Sequence, residues 1–159
     1  WRKGRIYSQT SSAKKSDGGG VVLDLSHEFD FLGWIFGKMF VIKSINKKLS
    51  NLKINTKDYL SLISKTKKNI FVQINLNYYS LLDERKVYID GKNFSICADL
   101  KNNSLNYKTN KKNKIFNFKN FKMIETYKKM HNKILNKNYS DICSFNEGIN
   151  VLKFINQLR

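Results

Sequence analysis

The stretch that decides the fold reads DGGGVVLDLSHEFDFLGWIFG, from Asp17 to Gly37. Elsewhere the chain interleaves lysine and asparagine with isoleucine, phenylalanine and tyrosine. Here three glycines, Gly18, Gly19 and Gly20, lead into an apolar segment that carries Asp24, His27 and Asp30 at close spacing. Leu25, Phe29, Leu32 and Phe36 recur at helical intervals, which predicts one helix over 21–36 with Gly37 as its stop. From Phe31 onward every helical residue except Gly33 is large and apolar, so that half is expected to be buried on most sides. The first half carries the ionisable groups.

Outward from this helix the period changes. Residues 1–17, WRKGRIYSQTSSAKKSD, are polar and aperiodic and read as an extended arm. Residues 39–118 alternate with a period of two. FVQINLNYY is the clearest strand, with Val72, Ile74, Leu76 and Tyr78 on one face and Gln73, Asn75 and Asn77 on the other. MFVIKSI, DYLSLIS, RKVYI, FSICADL, LNYKT and KIFNF read as further strands, and Asp90-Gly91 is a hairpin signal. Over 120–158 the period returns to that of helices. Asn120 is placed to cap the first, with Met123, Tyr127, Met130 and Ile134 as its stripe. Ser144 and Glu147 form a capping box for the second, whose buried face is Val151, Leu152, Ile155 and Leu158. One helix, a run of strands and two closing helices is an α+β order, with an open, mainly antiparallel β-sheet and helices packed on one face. The 159 residues read as a single domain.

The formal charge of +18 raises nucleic-acid binding as a reading. The excess is almost all lysine, however, with Arg2, Arg5, Arg85 and Arg159 as the only arginines, and arginine is the preferred tool for phosphates and base edges. Abundant Lys, Asn and Ile with no proline fits the drift of an A+T-rich genome. Cys97 and Cys143 offer neither metal spacing nor a disulfide framework and read as reduced thiols of a cytoplasmic protein. No apolar run is long enough to span a bilayer. The chain begins at Trp1 without a leader, and is expected to be a fragment of something longer.

On a regular helix Asp24 and His27 share a face, as do His27 and Asp30. A histidine beside a carboxylate is an acid/base arrangement in which the carboxylate orients the ring. The same spacing also suits a purely structural hydrogen bond. Metal binding is disfavoured, because no second histidine or cysteine stands at ligand spacing.

GGGVVLDLSHEFDFLGWIFG closely resembles the segment that opens the C-terminal domain of the Gfo/Idh/MocA oxidoreductases. The resemblance extends to the lead WRKGRIYSQTSSAKKSDGGG, in the subgroup linked to nucleotide-sugar and surface-glycan pathways. LNYYSLLDERKVYIDGKNFSICADL and YKKMHNKILNKNYSDICSFNEGINVLKFI are similar to later strands and closing helices of that domain. Such enzymes pair an N-terminal Rossmann domain, which holds NAD or NADP, with a C-terminal domain that lines the substrate pocket and builds a homo-oligomer through its sheet. This chain matches only the second half. It shows no Gly-x-Gly-x-x-Gly after a strand, and the family's Glu-Lys-Pro motif is impossible without proline.

The resemblance implies that His27 is the acid/base of a dehydrogenase acting on a sugar, polyol or nucleotide sugar, and that the isolated chain is inactive. Asp24 corresponds to an acid that usually lies four residues before the histidine; here the interval is three, and its implied role is to orient His27. Asp30 and Trp34 match helix-anchoring positions, and Gly18, Gly19 and Gly20 are structural. Arg5 and Tyr7 fall in the arm, where they would meet sugar hydroxyls or a phosphate. Lys3, Ile6 and Ser11 depart from the family's usual proline, acid and tyrosine. Two rival expectations stand beside this one: a basic nucleic-acid-binding module, and a non-catalytic dimerisation domain derived from the family.

Overall fold

The structure, a computed structural model, describes residues 6–158. Arg5 lies outside them. The described chain falls into two compact units where the sequence reads as one domain: one comprises the residues up to Ser80 together with those from Cys143 onward, the other Leu81–Ile142.

The first unit holds the segment quoted above. From Ile6 on, the arm is not extended but folds into three short 3-10 turns, Tyr7–Gln9, Ser11–Ala13 and Lys15–Asp17. Its turns lean on the loop that follows the first strand. Asn55 donates its backbone N–H to the Ala13 carbonyl, and its side-chain oxygen accepts from the Lys15 N–H at 2.7 Å. The Thr56 hydroxyl donates to the Ser12 carbonyl at 3.0 Å, as does the Gly20 N–H. These are long-range partners that no local pattern announces. At Gly19 the approach is so close that a Cβ would lie 2.3 Å from the Ser11 carbonyl oxygen, and Gly20 takes a φ of +112° that favours glycine.

The predicted helix over 21–36 is two helices, α1 (Val21–Asp24) and α2 (Ser26–Phe36), broken at Leu25 with φ −104° and ψ 28°. The start of α1 is fixed by the Val21 N–H donating to the Lys57 carbonyl, so tertiary bonding sets the direction of that turn. α2 then buries Phe29 and Leu32. Its far end is less buried than its composition predicts, and Trp34 is 78% exposed, so it is not an anchor in this core.

Three strands follow in antiparallel order, β1 (Met39–Lys47), β2 (Tyr59–Thr66) and β3 (Phe71–Asn77). Val41 pairs with Ser64 and Lys43 with Ile63, leaving Ile42 as a β-bulge that resets the alternation of β1. Leu60, Leu62, Val72 and Ile74 point to the core, as the period-two pattern of β3 predicts. Against this face pack α1, α2 and the last helix of the chain, whose Phe154 and Ile155 are buried together with Leu158 just beyond its end. The rings of Phe29 and Phe154 meet with centroids 5.7 Å apart. Each such fully buried side chain contributes about 1.5–3 kcal/mol. Asn46 on β1 donates to the Leu158 carbonyl at 2.7 Å, tying down the end of the described chain.

The second unit is a four-stranded antiparallel meander, β4 (Lys86–Gly91), β5 (Phe94–Asp99), β6 (Ser104–Thr109) and β7 (Asn113–Asn117), followed by α3 (Met123–Leu135). All seven predicted strands are present, but they form two sheets and not one. The β4–β5 hairpin closes with Gly91 opposite Phe94, so its turn residues are Lys92-Asn93 and the Asp90-Gly91 pair ends the strand. α3 buries none of its residues and begins at Met123 without a side-chain cap, so Asn120 does not cap it. The last helix, α4 (Phe145–Asn156), belongs to the first unit and carries the predicted capping box: Ser144 accepts from the Glu147 N–H while Glu147 accepts from the Ser144 N–H. No described helix is long and apolar enough to cross a membrane.

Candidate functional site

Within the first unit an open groove of about 460 Å³ runs between α2 and α4. α2 contributes Ser26, His27 and Asp30 to it. The opposite wall is Cys143 and the α4 side chains Phe145, Ile149 and Leu152. One wall can exchange protons and form hydrogen bonds, while the other offers apolar surface. Phe145 is 83% exposed, so its ring is open to a ligand in the groove.

His27 stands at this groove with its side chain 55% exposed, as an acid/base group that must reach a ligand requires. The carboxylate it meets is Glu28, with Nε2 3.3 Å from Oε1, and the Glu28 side chain is only 14% exposed. Asp24 is occupied elsewhere. Its Oδ2 accepts a hydrogen bond from the Tyr78 hydroxyl at 3.1 Å, and the break at Leu25 interrupts the regular helix on which Asp24 and His27 would share a face. Burial, then the neighbouring charge of Asp24 and the bond to it, push the Tyr78 phenol far above its ordinary range. Tyr78 is therefore a fixed donor at every working pH.

Cys143 adds a thiol to the groove, but not a reactive one. Desolvation, and then the negative charges of Asp30 and Glu147, hold it above its ordinary value, so the thiolate needed for nucleophilic attack is scarce at neutral pH. Asp30 also lines the groove, a more direct position than helix anchoring implies. Tyr7 is not a groove residue: its hydroxyl accepts from the Lys53 N–H at 3.4 Å, so the side chain pins the arm to the β1–β2 loop.

That loop depends on a residue that sequence reasoning passed over. Asp58 is fully buried and accepts from the Leu49 N–H at 2.7 Å, the Ser50 N–H at 3.2 Å and the Ser50 hydroxyl, with Lys48 Nζ at 3.0 Å. Burial alone would raise its pKa; the donors from Leu49, Ser50 and Lys48 outweigh it and hold the carboxyl below its ordinary value. Asp58 thus supports the loop, the loop supports the arm and glycines, and these set where α1 begins. An aspartate at the start of a strand carries no sequence signal of this role.

The described residues form no parallel βαβ unit of the kind that binds a dinucleotide. Every strand pairing among them is antiparallel, and the β7–α3 connection, FKNFK, has no glycine for close approach to a pyrophosphate. Among the described residues no three His, Cys, Asp or Glu side chains gather as a metal site would require.

Comparison with known proteins places this geometry. No curated protein matches the chain. Among solved structures, an oxidoreductase from Thermotoga maritima superposes with TM-score 0.73 at 19% identity, covering 98% of this chain and 46% of its own. UDP-N-acetylglucosamine 3-dehydrogenase GnnA from Acidithiobacillus ferrooxidans gives TM-score 0.72 at 13% identity, covering 87% of this chain and 46% of its own. The 3-ketoreductase KijD10 from Actinomadura kijaniata, in complex with TDP-benzene and NADP, gives 0.69 at 8% identity, covering 89% and 46%. The chain therefore spans about half the length of these structures, and at such identities the likeness is one of fold. The family model for the C-terminal alpha/beta domain of the oxidoreductase family GFO/IDH/MocA matches residues 7–158. With its antiparallel sheets and its histidine-bearing helix behind three glycines, the chain belongs to the GFO/IDH/MocA oxidoreductase family, as its C-terminal domain.

Proposed function

We propose that the chain is the substrate-binding half of an NAD(P)-dependent oxidoreductase that transfers hydride to or from a hydroxyl-bearing carbon of a sugar, polyol or nucleotide sugar. The observation that carries this reading is His27, half exposed on the wall of the α2–α4 groove in a chain of this family. Oxidising a carbinol removes a hydride from carbon and a proton from oxygen. His27 takes that proton, and returns it when the reaction runs toward the alcohol. Asp30 and Ser26, on the same wall, are placed to hold neighbouring hydroxyls. A nicotinamide cofactor, NAD or NADP, supplies the hydride chemistry, with an N-terminal Rossmann domain as its proposed holder.

Asp24 and Tyr78 act in this reading as a clasp that fixes the helix carrying His27. Arg5 is kept as an arm residue for a sugar or phosphate contact, while Tyr7 holds the arm in place. The uncovered face of the three-stranded sheet, with Phe40, Ile45, Ile63 and Phe71 exposed, supports a homo-oligomer formed through the sheet. The free thiols of Cys97 and Cys143 support a cytoplasmic setting.

The test is His27→Ala in the full-length protein. Turnover is expected to fall about 10²–10⁴-fold, the usual size of a general acid–base contribution, with the far-UV spectrum unchanged. The present chain by itself is expected to show no turnover. Unchanged turnover in the variant would leave the domain as a non-catalytic dimerisation element.

A further inference from the structure

We propose that Glu28 is the positioning residue for His27, the role that sequence spacing assigns to Asp24. Neighbouring residues on a helix point about 100° apart and do not ordinarily meet. His27 and Glu28 nevertheless bring Nε2 to 3.3 Å from Oε1, and Glu28 does so while its side chain is only 14% exposed, unlike a solvated surface acid. A largely covered glutamate has few rotamers left, so it is a fixed acceptor for a ring that is otherwise half exposed and free to turn. Asp24 does not take this part in the structure: its Oδ2 accepts from the Tyr78 hydroxyl, and the carboxylate beside the His27 ring is that of Glu28. The other titratable groups lining the groove are Asp30 on the same helix and Cys143 on the opposite wall, and Glu147, engaged with Ser144, acts on Cys143 by its charge.

The consequence is a choice between the two ring nitrogens. Glu28 Oε1 approaches Nε2, so in the neutral ring we place the proton on that nitrogen, and Nδ1 is left with the lone pair to offer a substrate hydroxyl. Glu28 touches neither substrate nor cofactor in this scheme; it acts through His27. The proposal rests on the reading of His27 as the acid/base, but the contact is tested apart from it.

The first measurement is the imidazole ¹H–¹⁵N spectrum of the present chain at low temperature, in a His131→Gln background so that one histidine remains. In the parent a protected Nε2–H resonance is expected, because the Glu28 carboxylate 3.3 Å away holds that proton against exchange with water. Glu28→Gln retains an acceptor and keeps the resonance; Glu28→Ala loses it, with backbone amide signals elsewhere unmoved. A ring protonated at Nδ1, or an Nε2–H signal indifferent to Glu28→Ala, overturns the proposal whatever the protein catalyses.

The second measurement uses the full-length protein with NAD(P)H and the sugar it turns over. Glu28→Ala is expected to lower kcat by up to about 10²-fold, the scale of a small misplacement of a reacting group, with KM unchanged and part of the loss restored in Glu28→Gln. A change confined to KM also overturns the positioning role. If His27→Ala proves harmless while the Nε2–H signal behaves as stated, the contact stands and the dehydrogenase reading falls.

Discussion

The Tyr78 hydroxyl, at the end of β3, donates to Asp24 at the end of α1 across 3.1 Å, joining residues 54 positions apart. This bond fastens the broken helix to the sheet beneath it at the point where the chain turns toward His27. Tyr78 is 9% exposed whereas Asp24 is exposed, so the bond is covered from the phenol side only. Tyr78→Phe keeps the ring and deletes only the donor. Loss of about 0.5–1.5 kcal/mol is expected in urea unfolding, because the bond is lost while the exposed carboxylate turns to water. Unaltered stability would show that solvent replaces the phenol.

Asp58 predicts a dependence on pH whose sign can be worked out. Its carboxyl is held below the ordinary value in the folded chain, so the folded state favours the charged form. That stability is fully present above the unfolded value, about 3.9, and is lost as pH falls through the lower folded value. The parent is therefore expected to weaken on acidification from about pH 5 downward. Asp58→Asn should be less stable at neutral pH and show a flatter acid limb. Equal slopes in parent and variant would assign the acid sensitivity to other carboxylates.

Two glycines should respond in opposite directions to the same substitution. Gly19→Ala would bring a Cβ to 2.3 Å from the Ser11 carbonyl oxygen and 2.5 Å from that of Ser12, both backbone atoms that cannot move alone. Destabilisation of about 1–3 kcal/mol is expected, the cost of overpacking. Gly33 lies inside α2 with open space where a Cβ would stand, so Gly33→Ala is expected to stabilise by about 0.5–1 kcal/mol. Thermal unfolding of the two variants side by side measures both signs.

Ser144→Ala removes one half of the box that opens α4, leaving the Glu147 N–H without its acceptor. A loss of about 0.5–2 kcal/mol is expected. Because α4 is also the apolar wall of the groove, hydrogen exchange over residues 145–149 should accelerate more than exchange in β2. Uniform acceleration would mean that the cap stabilises the unit globally and not the wall.

Much of the architecture was legible from periodicity. The two-residue alternation located seven strands, and Ser144 with Glu147 located α4, because each signal is local: it records which side of an element is apolar or which neighbour caps it. The helix bearing His27 was legible for the same reason, and so was the family resemblance. The break at Leu25 was not, since Val21–Asp24 and Ser26–Phe36 have compatible helical patterns and are parted by the pull of Lys57 and Tyr78, which lie in other parts of the chain. The arm read as extended because its residues lack a period, yet it folds into 3-10 turns around Ala13, which is buried.

The sequence by itself determined the order of helices and strands, the faces they turn inward, and the presence of an ionisable cluster behind three glycines. Only the tertiary structure decided that the strands form two sheets, that Asp58 supports the loop beneath the arm, and that Glu28 meets His27 while Asp24 is bound to Tyr78. The physical reason is one of range. Backbone propensity and hydrophobic period act within a few residues, whereas the partner of a polar side chain is whichever group long-range packing brings within about 3 Å, and spacing along the chain holds no record of it.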